Sequence, residues 1–163
     1  DSDGLRPTLD RVRETLFNWL ARDIAGSYCL DLFAGSGALG FEAVSRGAAE
    51  VTLVEKNTKV CGALKQNSQV LAANNIVILN QAAEDFLTNN TKKFSIVFLD
   101  PPFGKAMLAD TLAALKPHLA ENALVYIEQE KSANEFIPEN NWQELKYKKT
   151  SSFSYALYCL AGE

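Results

Sequence analysis

The chain has 163 residues, 47% of them hydrophobic, and a formal charge of −4 from 16 basic and 20 acidic side chains, so one compact domain spanning 1–163 with a sizeable core is expected. That acidic balance excludes a protein that coats nucleic acid along its whole surface, and any contact with a polyanion has to be local. No apolar run approaches the ~20 residues of a bilayer span, no secretory signal opens the chain, and Cys29, Cys61, Cys159 and the single His118 form neither a disulfide framework nor a zinc site, which points to a cytoplasmic protein without metal or membrane partner.

Leu9, Val12, Leu16, Trp19 and Leu20 recur at helical spacing after "RPT"; Pro7 is expected to stop any earlier helix and Thr8 to cap this one. Five β-rich runs follow in alternation with helical stretches: "YCLDLF", "EVTLVE", "NIVILN", "FSIVFLD" and "ALVYIEQ". Val60, Leu64 and Leu71 mark one of the intervening helices. This alternation predicts a parallel sheet covered on both faces. The last two runs, "WQELKYKK" and "FSYALYCL", are joined only by "TSS" and predict an antiparallel hairpin. His118, after Pro117 near a helix end, is expected to cap carbonyls and has no catalytic role.

Gly35, Gly37 and Gly40 stand in a G-x-G-x-x-G array between the first strand and a helix. Such a turn brings the backbone close to a ligand and aims a helix start at it. Glu55, at the end of the next strand, is placed to accept from ribose hydroxyls, which suits NAD or any other adenosine cofactor. Asp31 discriminates, because a carboxylate beside the loop repels a pyrophosphate and attracts an ammonium or a sulfonium. The pattern points to S-adenosylmethionine.

The fourth strand runs into "DPPF". Proline stiffens this turn and forces the residue before it extended, so Asp100 and the carbonyl of Pro101 become paired acceptors at the carboxyl edge of the sheet, with Pro102 behind them and Phe103 as a flat apolar plate. Two acceptors and a ring suit a planar base bearing an exocyclic amine. Hydrogen bonds to both would favour a pyramidal nitrogen, aim its lone pair at a methyl carbon and stabilise the positive charge that develops.

"LDLFAGSGALGFEAVSRGA", Glu55 and "DPPF" resemble the class I S-adenosylmethionine-dependent methyltransferases, and "GLRPTLDRVRETLFNWL" resembles the bacterial small-subunit ribosomal RNA guanine-N2 methyltransferases. The resemblance implies a Rossmann-like α/β fold: a seven-stranded, mostly parallel sheet with an antiparallel C-terminal hairpin at one edge and helices on both faces. It implies methylation of N2 of a guanine in 16S rRNA, free or within a partly assembled small subunit, by a monomer. Asp31, Phe33, Gly35 and Gly37 would line the methionine end of the cofactor, Glu55 the ribose, and Asp100, Pro101, Pro102 and Phe103 the transfer site. Relatives carry Asp or Asn where this chain has Ala82; Glu84, Asp85 or the backbone near Ala83 would take the adenine amine instead. Relatives also begin with a basic segment upstream of "RPT", which is expected to be missing from this chain.

Arg6 and Arg13 are expected on the RNA by the same resemblance, whereas Arg11, on the opposite side of the helical wheel, is either a phosphate contact or a solvated charge. Lys146, Lys148 and Lys149 lie on an expected edge strand, where lysine also blocks unwanted pairing. The alternatives are an amino methyltransferase acting on adenine N6 or cytosine N4, an NAD-dependent oxidoreductase, and a non-catalytic RNA-binding module.

Overall fold

The computed structural model describes residues 2–101, 105–131, 135–139 and 141–161, with side chains from residue 8 in the first helix and from residue 107 in the helix after the fourth strand. The elements are α1 (Ser2–Trp19), β1 (Tyr28–Asp31), α2 (Ala38–Ser45), β2 (Glu50–Val54), α3 (Thr58–Val70), β3 (Ile76–Leu79), α4 (Ala83–Asn89), β4 (Phe94–Leu99), α5 (Lys105–Leu115), a 3-10 turn at Lys116–His118, β5 (Leu119–Glu130), β6 (Trp142–Lys149) and β7 (Phe153–Leu160). All seven strands lie in one sheet of order β3-β2-β1-β4-β5-β7-β6. The first five are parallel, and β7 inserts antiparallel between β5 and the edge strand β6.

Strands buried on both faces must be apolar at nearly every position, which is why these runs lack the alternation of a half-exposed strand. On one face Leu16 and Phe17 of α1, Leu20 just after it, Ala43 of α2 and Leu64 of α3 pack on Cys29, Leu53, Ile96, Phe98 and Tyr126. On the other, Phe86 and Leu87 of α4 and Leu108, Leu112 and Leu115 of α5 pack on Leu30, Val54, Val97, Leu99 and Val125. The reversal of strand order between β1 and β4 leaves a crevice above their carboxyl ends, the position where open α/β sheets take ligands.

Three local expectations are corrected. The first helix does not start after Pro7: it runs from Ser2 through Pro7 and Thr8, so Thr8 is an internal residue and not a cap. Near a helix start a proline deletes a single backbone bond, here the one to Asp3, and the apolar stripe that follows carries the helix past it. Leu71 lies just outside α3 as its C-cap. His118 does not cap α5; its ring Nδ1 pairs with the Asn90 side-chain amide at 2.9 Å, because Pro117 turns the chain into the 3-10 segment. Cys29 and Cys61 are buried and Cys159 half-buried, all as free thiols.

Candidate active site

The glycine loop is built from backbone bonds that few other residues would permit. β1 ends at Asp31, the Ala34 N–H donates to the Val54 carbonyl at 3.0 Å, and the chain reverses with Gly37 N–H donating to Ala34 O at 2.9 Å. Gly35 and Gly37 have φ of +54° and +80°, conformations that disfavour a side chain. They serve different ends. A Cβ on Gly37 would strike the rings and methyls of Phe41 and Leu64, so this residue lets α2 and α3 close together, whereas nothing lies within 4 Å of a Cβ on Gly35. Gly35 faces open space that a ligand can fill.

Glu55 holds that loop in place. Its Oε1 accepts from the Gly35 N–H at 2.9 Å and its Oε2 from the Asn57 N–H at 3.0 Å. Each carboxylate oxygen retains a lone pair, so two further donors, such as a pair of vicinal hydroxyls, can be accepted. Glu55 also opens onto a cleft of about 890 Å³ whose walls include Phe33, Gly35, Ala83, Glu84, Asp100 and Met107. Ala82, the residue before α4, provides no side-chain cap, so the first N–H groups of that helix are free for other acceptors. Of the three substitutes expected for the missing Asp or Asn, Glu84 and the backbone at Ala83 line the cleft; Asp85 is exposed and does not.

Asp31, Asp100 and Glu128 converge at the carboxyl ends of β1, β4 and β5. Asp31 pairs in register with Phe98, and Phe98 with Tyr126, so the next inward-facing positions on β4 and β5 are Asp100 and Glu128. Asp31 is only 3% exposed, accepts from the Phe33 N–H at 3.2 Å and is pushed up to about 7, first by desolvation and then by the charges of Glu55 and Glu128. Asp100 shows surface to solvent at the strand end, yet its carboxyl group is also raised, by desolvation, by Glu128 and by Asp31. Three carboxyls of one sign in a poorly hydrated corner call for a cation.

Because the buried Asp31 binds its proton more tightly in the folded protein than in the unfolded chain, its contribution to stability is present at low pH and is lost as pH rises through the folded value. The ligand-free protein should therefore melt at a lower temperature at about pH 8 than at about pH 5.5, and Asp31→Asn should flatten that dependence. Thermal scans across this range, with and without the substitution, test it; an unchanged slope in the variant would assign the dependence elsewhere.

Most residues expected at the cofactor meet here, with two differences. Phe33, Gly35, Glu55, Ala83, Glu84 and Asp100 line the cleft, but Asp31 and Gly37 lie behind its surface, one acting through charge and the other through packing. Pro101 is half-buried beside Asp100; Pro102, Phe103 and the Arg6 side chain lie outside the described residues. Arg13 is paired with Asp10 at 3.7 Å, and Arg11 is exposed on α1. Lys146 and Lys148 lie opposite Leu157 and Tyr155, on the α1 face of the sheet, whereas Lys149 lies opposite Ser154 on the other. Sequence reading missed Glu128 and Tyr126. The available signal was an acidic residue closing an otherwise apolar buried strand, "ALVYIEQ".

The family described as Conserved hypothetical protein 95 matches residues 1–159. A Haemophilus influenzae protein named ribosomal RNA small subunit methyltransferase D is 48% identical over 164 residues, covering 97% of this chain and 84% of its own length. The solved structure of the Escherichia coli protein yhhF superposes with a TM-score of 0.88 at 42% identity, over 94% of this chain and 88% of that one. Magnesium protoporphyrin IX methyltransferase from Synechocystis, solved with SAM bound, shares the fold with a TM-score of 0.74 at 15% identity, over 97% and 82% of the two chains.

Proposed function

Because the chain belongs to the family of ribosomal RNA small subunit methyltransferase D, we propose that it transfers a methyl group to the exocyclic N2 of one guanine in 16S rRNA during maturation of the small subunit. Methylation of ribosomal RNA with S-adenosylmethionine as methyl donor follows from that membership. The nicotinamide alternative is left without support.

The observation that carries the finer reading is Asp100 at the mouth of the cleft, followed by Pro101 and next to the glycine loop. The donor set fits the cofactor. Glu55 offers two free lone pairs to ribose hydroxyls, Gly35 leaves room for the nucleoside, Phe33 and Met107 supply apolar walls, and Asp31 supplies negative charge from behind for an ammonium or sulfonium. The cofactor supplies an activated methyl group. The chain supplies placement and polarity: Asp100 and the Pro101 carbonyl accept from the N2 hydrogens, which holds the amine in line and stabilises the charge it gains. Phe103 would stack on the base ring. Direct transfer of this kind forms no covalent bond between substrate and protein.

Incubating the protein with labelled cofactor and RNA-containing small-subunit particles, then digesting the RNA to nucleosides, tests the proposal. N2-methylguanosine is expected. N6-methyladenosine or N4-methylcytidine would move the chemistry to another base while keeping the acceptor pair, and no incorporation would overturn the reading.

The α1 face is proposed to meet the RNA, since Arg11, Arg13, Lys146 and Lys148 all lie on that side of the sheet. Arg11→Ala and Arg13→Ala should each weaken RNA binding and reduce the steepness of its salt dependence by about 0.7 to 0.9 in log–log slope for each phosphate no longer neutralised. Affinity for S-adenosylhomocysteine should stay unchanged. Binding titrations at several salt concentrations check this; variants with the parental slope would remove these arginines from the interface.

A further inference from the structure

We propose that Glu128 is a positioning residue for the methyl transfer: anchored by Tyr126, it holds through Asp100 the single proton the two carboxyls share in the free site, and receives one again when the target amine sheds it. The inference rests on the function proposed above and assigns a role to a side chain outside the acceptor pair.

The geometry places the two acids together. Tyr126 and Glu128 are two residues apart on β5 and so share a face of the sheet. The Tyr126 hydroxyl, at the end of a fully buried ring, donates to Glu128 Oε1 at 2.8 Å. β4 and β5 are in register at Phe98 with Tyr126 and at Leu99 with Ile127, which brings Asp100 beside Glu128 on the same face of the sheet. Two neighbouring carboxyls repel one another when both are ionised, which favours keeping one proton between them.

The place of that proton follows from what surrounds the pair. Glu128 accepts from Tyr126, and that bond favours its ionised form against the burial that opposes it. Asp100 faces the charges of Glu128 and Asp31 and has no such donor among the described residues, which favours the pair's proton on the Asp100 side. The groups acting on the pair are Asp31 from β1, Tyr126 on β5 itself, and, one step further, Glu55 just past β2 and Tyr155 from β7. Val12, Leu16 and Phe17 of α1, with Leu20 just after it, pack on this face as apolar residues. A protonated Asp100 is a poor acceptor for an amine. It becomes a good one when a positive charge enters the site and favours the ionised pair.

The proton balance closes. Entry of a sulfonium favours release of the shared proton to solvent. As the N–C bond forms, the C–S bond breaks with its electron pair left on sulfur, the positive charge moves to nitrogen, and a proton passes from nitrogen to Asp100, which shares it with Glu128. The pair ends as it began.

Calorimetric binding of S-adenosylmethionine and of S-adenosylhomocysteine, each in two buffers of different ionisation enthalpy near pH 7, reads the released protons directly. Wild-type protein should release more with the sulfonium than with the uncharged thioether, and Glu128→Gln should lose most of that difference while binding both ligands within a few-fold. Single-turnover transfer gives the second readout. In Glu128→Gln the acid limb of the pH profile should move to lower pH, because Asp100 loses a like-charged neighbour, and the plateau should fall roughly 10²-fold with the loss of proton acceptance. Tyr126→Phe removes only the hydroxyl anchor and should move the limb the other way, since the fully ionised pair loses a donor; it keeps the proposal open to test should Glu128→Gln fold poorly. Equal proton release in wild type and variant, or limbs that do not move, would overturn the role of Glu128. Failure of the wild type to bind either ligand would instead overturn the function on which it rests.

Discussion

Replacing Asp100 by alanine should lower methyl transfer by roughly 10²- to 10³-fold while changing affinity for S-adenosylhomocysteine by no more than a few-fold. The size is that of losing one preorganised group aimed at charge which develops only in the transition state. Asp100 borders the cleft at its mouth, whereas Glu55 and Gly35 are bonded to each other deeper in the loop, so the two halves of the site should separate in kinetics. Single-turnover rates measured with saturating RNA, set beside calorimetry, make the distinction. Asp100→Asn keeps one carbonyl acceptor and should lose less than alanine. Equal losses in rate and in cofactor affinity would make Asp100 a cofactor residue and leave the target amine with the Pro101 carbonyl alone.

Glu55→Ala is expected to weaken S-adenosylhomocysteine binding by roughly 10²-fold or more, because hydrogen bonds to a charged acceptor contribute about 1.5–3 kcal/mol each. Two effects combine in that loss. The carboxylate offers lone pairs to the ligand, and it also accepts from the backbone N–H groups of Gly35 and Asn57, which fix the loop the ligand must enter. Glu55→Gln separates them, since the amide retains one acceptor oxygen but turns a donor toward one backbone N–H. If calorimetry finds alanine and glutamine equally damaging and the ligand-free melting temperature equally lowered, Glu55 acts chiefly on the loop. A melting temperature held near the parental value with binding lost would place it on the ribose.

Much of the fold was legible because its determinants are local. The inner strands are apolar runs of a length that suits a sheet covered on both faces, the edge strand β6 is polar and exposed, and the seven runs read from the sequence became the seven strands, with ends moved by a few residues at Phe33 and Leu119. The glycine spacing reports a backbone path that other side chains resist. Those signals operate over a handful of residues. Pro7 misled for the same reason: a local helix breaker near a helix start is outweighed by the packing of Val12, Leu16 and Phe17 on the sheet.

What tertiary structure alone decided is which distant residues share a corner. Asp31, Asp100 and Glu128 are neighbours only because β4 lies between β1 and β5, and because their register aligns Asp31 with Phe98 and Phe98 with Tyr126. A one-residue slip would turn any of the three to the opposite face. The same order put Asp31 behind the cleft instead of in its wall, and joined Tyr126 to Glu128 where the sequence showed only an apolar strand with an acidic end. Period and spacing along the chain thus determined the elements and the chemistry of the loop and the turn. Strand order and register, set by the packing of two layers of helices onto one sheet, determined which carboxyls share one corner of the site.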